Sequence, residues 1–367
     1  MIRSLFRTAA ILVAGLVPAA GCASVAPAVP AQVGGVESHG TFLYVANQSS
    51  SSVSVIDMAT DEIVDTVDLV ALGFTANAKP HHVVVEPDGS YWYVSLISDG
   101  FVLKFDRENH LAARSAFETP GLMALDPNGD NLYVGRSMAA VNPPQRIGVV
   151  QRSTMEIDEV DVFIDRPHAI AVSPDGSHVY TASLAANDMA IYMPGSGEVE
   201  LIRLPSASDR VHVLVQFAMT PDGSALVVGG EMTGQLLVMD AMNHMAPPVI
   251  ATIDVPAAPW HPVFSPDGKW MYVGNLAGNA VTFVDATTWT VARVITSERF
   301  AAPHGIALSP DGTKLYVGNR NVAPRPNGED PGNGFVAVID TASGEITKWI
   351  EVGKYAAGMG TAARMPL

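Results

Sequence analysis

Cysteine is nearly absent from this chain of 367 residues: Cys22 is the only one. A single thiol excludes an internal disulfide and a thiolate metal cluster. Charge is also scarce, at 16% of residues, and basic charge scarcer still, with 21 Lys and Arg against 37 Asp and Glu and a formal net charge of −16. A surface of that sign repels phosphate backbones, and no basic cluster offsets it, so nucleic acid is excluded as a partner. The sequence has no CxxCH, no HExxH, no glycine-rich phosphate loop and no nucleophile elbow. Those absences remove covalently attached haem, zincin chemistry, nucleotide binding of the common types and serine or cysteine hydrolysis.

Long apolar runs are missing too, except at the start. "MIRSLFR" carries Arg3 and Arg7 and is followed by "TAAILVAGLVPAA". That stretch is short for a membrane span and suits a signal peptide. It ends in "AAGC", which resembles the lipobox of bacterial lipoproteins, although Ala19 stands where that family prefers Leu. The resemblance implies a signal peptide over residues 1–21 and lipidation of Cys22. The chain would then be held at a membrane of the cell envelope, facing the periplasm or the surface. Residues 22–38, rich in Ala, Pro, Val and Gly, read as a flexible tether, leaving residues 39–367 as the folded part.

What is abundant is apolar residues (48%), glycine (32) and proline (26), the mixture of many short strands joined by tight turns. The turns recur. Pro-Asp-Gly begins at Pro87, Pro174, Pro221, Pro266 and Pro310, with Pro-Asn-Gly at Pro127, so the spacing is 40 to 47 residues. Each turn is followed by a strand such as "YWYVS", "NLYVG", "WMYVG" or "KLYVG". A second strand then ends in Asp at Asp106, Asp240, Asp285 and Asp340, and a third is rich in Val, Ile and Thr. Together with the apolar run before the turn, each repeat holds four strands, the unit of a β-propeller blade. Six turns give six blades. A seventh is split: Gly40–Leu69 supplies three strands, and "KYAAGMGTAA" near the C-terminus supplies the innermost one. The expectation is an all-β, seven-bladed β-propeller, monomeric, whose C-terminal strand closes the first blade and removes the free edges.

"LYVAN", "MYVGN", "LYVGN", "SVSVID" and "SPDG" resemble the YVTN-repeat, YncE-like propellers of bacterial envelopes over residues 40 to 367. Propellers of this general shape include those of cytochrome-type nitrite reductases, nitrous oxide reductase, the methylamine dehydrogenase heavy chain and the lactonases that open phosphogluconolactone. The resemblance implies the fold and leaves function open among these.

Histidine marks the candidate site. His81, His168 and His304 lie six residues before a turn proline, and His82 and His261 lie five before. Four of the seven blades thus carry histidine after a proline where the innermost strand begins. By topology this is the end opposite the turns, beside the central channel. The loops Arg136–Arg146 and Asn319–Gly334 and the second-strand ends Asn47, Arg136, Asn275 and Asn319 belong to the same face. These four and Trp260 are the candidate ligand contacts; the five imidazoles are candidate ligands for copper or zinc. Adjacent strand positions point to opposite sides, so the five are not expected to face the axis together. The remaining blades offer Gly121, Val215 and Gln216, and Gly358 and Met359. Met138, Met232, Met359 and Met365 are read mainly as filler, and the strand-end aspartates as turn acceptors. The sequence favours a binding module that presents this face to an envelope protein, a metal or a small ligand. A metal-dependent oxidoreductase or a lactonase-like enzyme built on the histidines is the alternative.

Overall fold

The computed structural model describes residues 41–206, 210–243, 246–322 and 330–362. The signal peptide, Cys22, the tether, Met365 and the middle of the Asn319–Gly334 loop lie outside these. Among the described residues the chain forms twenty-eight strands, β1 (Phe42–Asn47) to β28 (Ala356–Thr361), and no helix long and apolar enough to cross a membrane. They assemble into seven four-stranded antiparallel sheets. Six sheets are consecutive quartets of the chain. The seventh has the order β28-β1-β2-β3, where β2 is Ser52–Asp57 and β3 is Glu62–Asp68. The C-terminal strand therefore closes the ring, as the repeat count requires.

Turn chemistry explains the recurring motif. In Ser-Pro-Asp-Gly, Asp175 Oδ1 accepts from the Ser173 hydroxyl at 2.5 Å and from Ser177 N at 3.0 Å, while Gly176 takes a φ of +74°. Asp267 and Asp311 repeat the arrangement with Ser265 and Ser309. The strand-end aspartates cap the next turn: Asp57 accepts from Ala59 N at 2.7 Å, and Asp285 from Thr287 N at 2.8 Å. Tyr-Val strands form the second strand of five of the seven blades, where Tyr93, Tyr133 and Tyr316 are fully buried. Tyrosine hydroxyls also tie blades together: Tyr316 Oη donates to Asp61 across the join between the last blade and the first, at 2.6 Å.

The innermost strands line the axis. They are β28 and then β4 (Pro80–Val85), β8 (Pro120–Leu125), β12 (Pro167–Val172), β16 (Leu214–Met219), β20 (Pro259–Phe264) and β24 (Pro303–Leu308), each packed on the next around the ring. At the turn end the channel opens into a cavity of about 630 Å³ walled by Val172, Met219, Val263, Ile306 and Met359. Met359 thus belongs to this end and not to the histidine face.

Candidate functional site

Every innermost strand begins the same way. The residue just before it sits in the left-handed region although none is glycine: Lys79, Thr119, Arg166, Val213, Ala258, Ala302 and Tyr355, with φ between 47° and 61°. Side chains avoid that region, and five of these residues precede a proline, which restricts them further. The compensation is a backbone bond repeated seven times. Their carbonyls accept from the N–H of Ile97, Ser137, Leu184, Glu231, Leu276, Arg320 and Gln48, in that order, at 2.8–3.2 Å. The pairing then slips by a bulge, for example between Pro80 and Val83 in β4 and between Pro303 and Ile306 in β24.

The bulge changes where the histidines point. Simple alternation would send His81 and His82 to opposite sides. Instead all five imidazoles join one connected cluster that crosses the channel. The ring centroids of His81 lie 6.4 Å from His168 and 6.0 Å from His304; His261 lies 4.8 Å from His304 and 5.9 Å from His82. Trp260 takes the place in β20 that His81 takes in β4, and its ring is 4.4 Å from that of His304. In the closing strand the equivalent positions are Ala357 and Gly358, one residue before the pair read from the sequence, because Tyr355 is the left-handed residue there.

The cluster is buried, and burial favours the neutral form of its rings. All five rings are buried, and burial is the largest cause holding each pKa below the ordinary histidine value. His82 and His168 are lowered to about 4; His81, His261 and His304 are held well below the ordinary value, by burial first and then by neighbouring imidazoles and Arg320. Hydrogen bonds fix the tautomers. His168 Nδ1 donates to the Arg136 carbonyl at 2.7 Å, and His81 Nδ1 faces Gln48 Oε1 at 3.3 Å, so in both rings Nε2 carries the lone pair. His82 is the reverse: its Nδ1 accepts from Met123 N at 3.2 Å. The Nε2 atoms of His81, His168 and His261 are buried without a partner. His304 makes no bond of good geometry, although the Ala357 carbonyl lies close enough to raise its pKa slightly against the larger lowering effects. Among the described residues, no group of three or more His, Cys, Asp or Glu is arranged to hold a metal ion.

Around the cluster stand residues that the sequence reading did not single out. Arg320 stacks between Trp260 and Tyr355, its guanidinium carbon 4.8 Å from each ring centre. Glu231 lies beside Arg320 and the Trp260 indole, and burial raises its pKa. Gln48, Glu231 and Arg320 are all the residue that follows a second strand, the one whose N–H closes the sevenfold bond. That shared position is the signal that marks them. On the other side the mouth is apolar: Met138, Leu184, Val213, Val215 and Leu276 pack with Trp260.

Asn47, Asn275, Asn319 and Arg136, expected at the mouth, fall one residue short of it and turn into their blades. Asn47 donates to Ser52 and Ser54, Asn275 to the Pro256 carbonyl, and Asn319 to the Val317 carbonyl. Arg136 is fully buried against Phe117 and donates to the Glu118 carbonyl and to Glu159.

Comparison with known proteins agrees with the architecture. No curated protein sequence matches the chain. Among solved structures, hydrazine synthase of Kuenenia stuttgartiensis is 21% identical, with 78% of this chain and 90% of that one covered and a TM-score of 0.64. A functionally unknown protein from Desulfotomaculum acetoxidans is 14% identical, with 88% and 99% covered and a TM-score of 0.70. The dihydro-heme d1 dehydrogenase NirN, in complex with DHE, is 14% identical, with 87% and 74% covered and a TM-score of 0.60. At these identities the likeness concerns the fold alone. The family model "Lactonase, 7-bladed beta-propeller" matches residues 36–244, more than half of the sequence, and the chain belongs to that family.

Proposed function

We propose that the histidine-lined mouth binds a small hydroxylated acid or its lactone, and that its chemistry is hydrolytic opening of the lactone ring. One observation carries this reading: buried imidazoles with unsatisfied Nε2 lone pairs, His81 and His168, stand in one cluster with Arg320, which stacks on aromatic rings and, although Glu231 lies beside it, forms no direct ion pair among the described residues. A lone pair held in that state takes a hydrogen bond from a ligand hydroxyl or from water. A guanidinium held in that state takes a carboxylate or the negative oxygen of a tetrahedral intermediate. Membership of the lactonase family supports the choice of ligand.

The reaction balances without a cofactor. Water gives a proton to His168 Nε2 as its oxygen attacks the ring carbonyl, forming a C–O bond. The negative charge that develops on the carbonyl oxygen faces Arg320. The ring C–O bond then breaks, the proton returns to the leaving alkoxide, and the product is a hydroxy acid. The low imidazole pKa keeps the lone pair available throughout the neutral range, at the expense of basicity.

The test is base consumption at constant pH with glucono-δ-lactone, comparing the wild type with His168→Gln and Arg320→Gln. The reading expects catalysis above the spontaneous rate that each substitution reduces by about tenfold or more. Spontaneous rates in all three proteins, with no binding of gluconate, would overturn it. The lipobox resemblance at Cys22 supports siting this activity at the envelope. Loss of membrane association in Cys22→Ser tests that part.

A further inference from the structure

The channel has a second end, away from the histidines, and its chemistry is different. Four successive innermost strands bring Leu125, Val172, Met219 and Val263 to the cavity there, each only half-buried, and Ile306 and Leu308 complete the wall. The turn prolines around the opening carry no N–H. Polar side chains of the wall are already engaged by the turns: Ser265 and Ser309 donate to Asp267 and Asp311, and the Thr220 hydroxyl accepts from Ala225 N. No side-chain polar atom of this wall is buried without a partner, in contrast to the imidazoles of the mouth. The cavity therefore offers a ligand apolar surface, in a volume of about 630 Å³ that matches small-molecule sites.

The rim is anionic. The six turns between first and second strands carry eight carboxylates and one cation, Lys269. Arg152 reaches in to pair with Glu86, and Lys269 pairs with Asp267 at 3.5 Å, both of these last two being exposed. Asp222 forms no ion pair among the described residues, and the N–H and hydroxyl of Ser224 hold its carboxyl below the usual range, so it stays charged. Beside the cavity, and sharing Thr220, Pro221 and Pro266 with it, is a hollow of about 410 Å³ lined by Asp222, Asp267 and Trp289. The Trp289 ring meets Phe264 of the cavity wall edge-on, with centres 6.3 Å apart. A half-buried indole next to two carboxylates suits an alkylated ammonium group, which is attracted by the ring face and by the negative charge and needs no hydrogen bond.

We infer that the turn end of the channel binds an amphiphilic cation, its apolar body in the cavity and its ammonium group in the hollow of Asp222, Asp267 and Trp289. This site is at the opposite end from the histidines and is independent of the lactone reading.

The experiment is calorimetric titration of the full chain with decyltrimethylammonium, tetramethylammonium, decyl sulfate and decyl maltoside, each below its micellar concentration. The expected result is one saturable equivalent of decyltrimethylammonium, bound roughly tenfold or more tightly than tetramethylammonium or decyl sulfate. Asp222→Asn keeps the oxygen that accepts from Ser224 and removes the charge. It should weaken decyltrimethylammonium about threefold or more and leave decyl maltoside unchanged. Equal affinity for the cationic and anionic chains overturns the inference, and so does the absence of binding by every decyl probe. Several equivalents of cation that Asp222→Asn does not alter also overturn it, because they mark general attraction to an acidic protein. The comparison of cation with anion in the wild type needs no variant, so the test does not depend on a variant that folds.

Discussion

His168 donates its Nδ1 proton to the carbonyl oxygen of Arg136 at 2.7 Å, and this one bond leaves the Nε2 lone pair as the ring's only free function. The anchor is itself fixed, because Arg136 is clamped by the Glu118 carbonyl and Glu159 and lies over Phe117. His168→Phe keeps the volume and loses both roles. The Arg136 carbonyl is then buried without its donor, which costs about 1–3 kcal/mol of stability in a urea melt. Lactone opening falls by about 100-fold or more. A stable variant with wild-type turnover would show that the lone pair has no part in the chemistry.

The five buried imidazoles make stability depend on pH in a defined window. Their folded-state pKa values lie below the unfolded value of about 6.5, with His82 and His168 at about 4. Between those values the unfolded chain binds protons that the folded chain refuses. Stability is therefore complete above about pH 6.5 and declines as pH falls toward about 4. His82 and His168 each contribute a loss on the order of 3 kcal/mol over that interval. The turn aspartates, held below the usual carboxylate range by serine hydroxyls, add to the loss only under about pH 4. Melting temperature measured from pH 7.5 to 4.5 should fall steeply in the wild type and less in His82→Asn. A flat profile would mean that water reaches the rings.

Much of this molecule is legible in its sequence because the repeat repeats its chemistry. In the three Ser-Pro-Asp-Gly turns a serine hydroxyl and a backbone N–H converge on the aspartate, and together with the variants at Pro87, Pro127 and Pro221 the turns count six blades. The split blade follows from the missing strand before Tyr44. Two features of the mouth depend on backbone detail that periodicity does not carry. The left-handed residue before each Pro-His step and the bulge after it bring His81 and His82 into one cluster, against simple alternation. The position that reaches the mouth lies one residue past the strand end, at the half-buried Gln48 rather than Asn47 and Arg320 rather than Asn319. A count by twos along an ideal strand lands on the buried neighbour.

Two arginines of this protein should respond to substitution in opposite ways. Arg136 is fully buried, bonded and stacked, so Arg136→Met strands the Glu118 and Arg146 carbonyls and should cost about 3 kcal/mol. Arg320 is desolvated by burial against its aromatic neighbours and forms no direct ion pair among the described residues, with Glu231 nearby as a partial offset. Arg320→Met should leave the melting temperature unchanged or slightly higher while removing acid binding, the pattern of a residue retained for function. A loss of several degrees in Arg320→Met would instead make its stacking on Trp260 a structural contact.

The closing strand should tolerate no added side chain at Gly358. The innermost strands converge on the axis, and Gly358 in β28 lies against β4: a Cβ there would overlap the His81 carbonyl oxygen and come within 2.9 Å of His82 Cα. Both obstacles are backbone, so neither can rotate away. Gly358→Ala therefore wedges β28 from β4 at the level of the imidazoles and should cost about 3 kcal/mol, the upper range for overpacking. Because β28 also pairs with β1, the same wedge strains the contact that closes the ring. Hydrogen exchange of β1 and β28 amides should quicken in this variant before that of the blades opposite. Uniform exchange across all seven blades would show that the join is no weaker than any other interface.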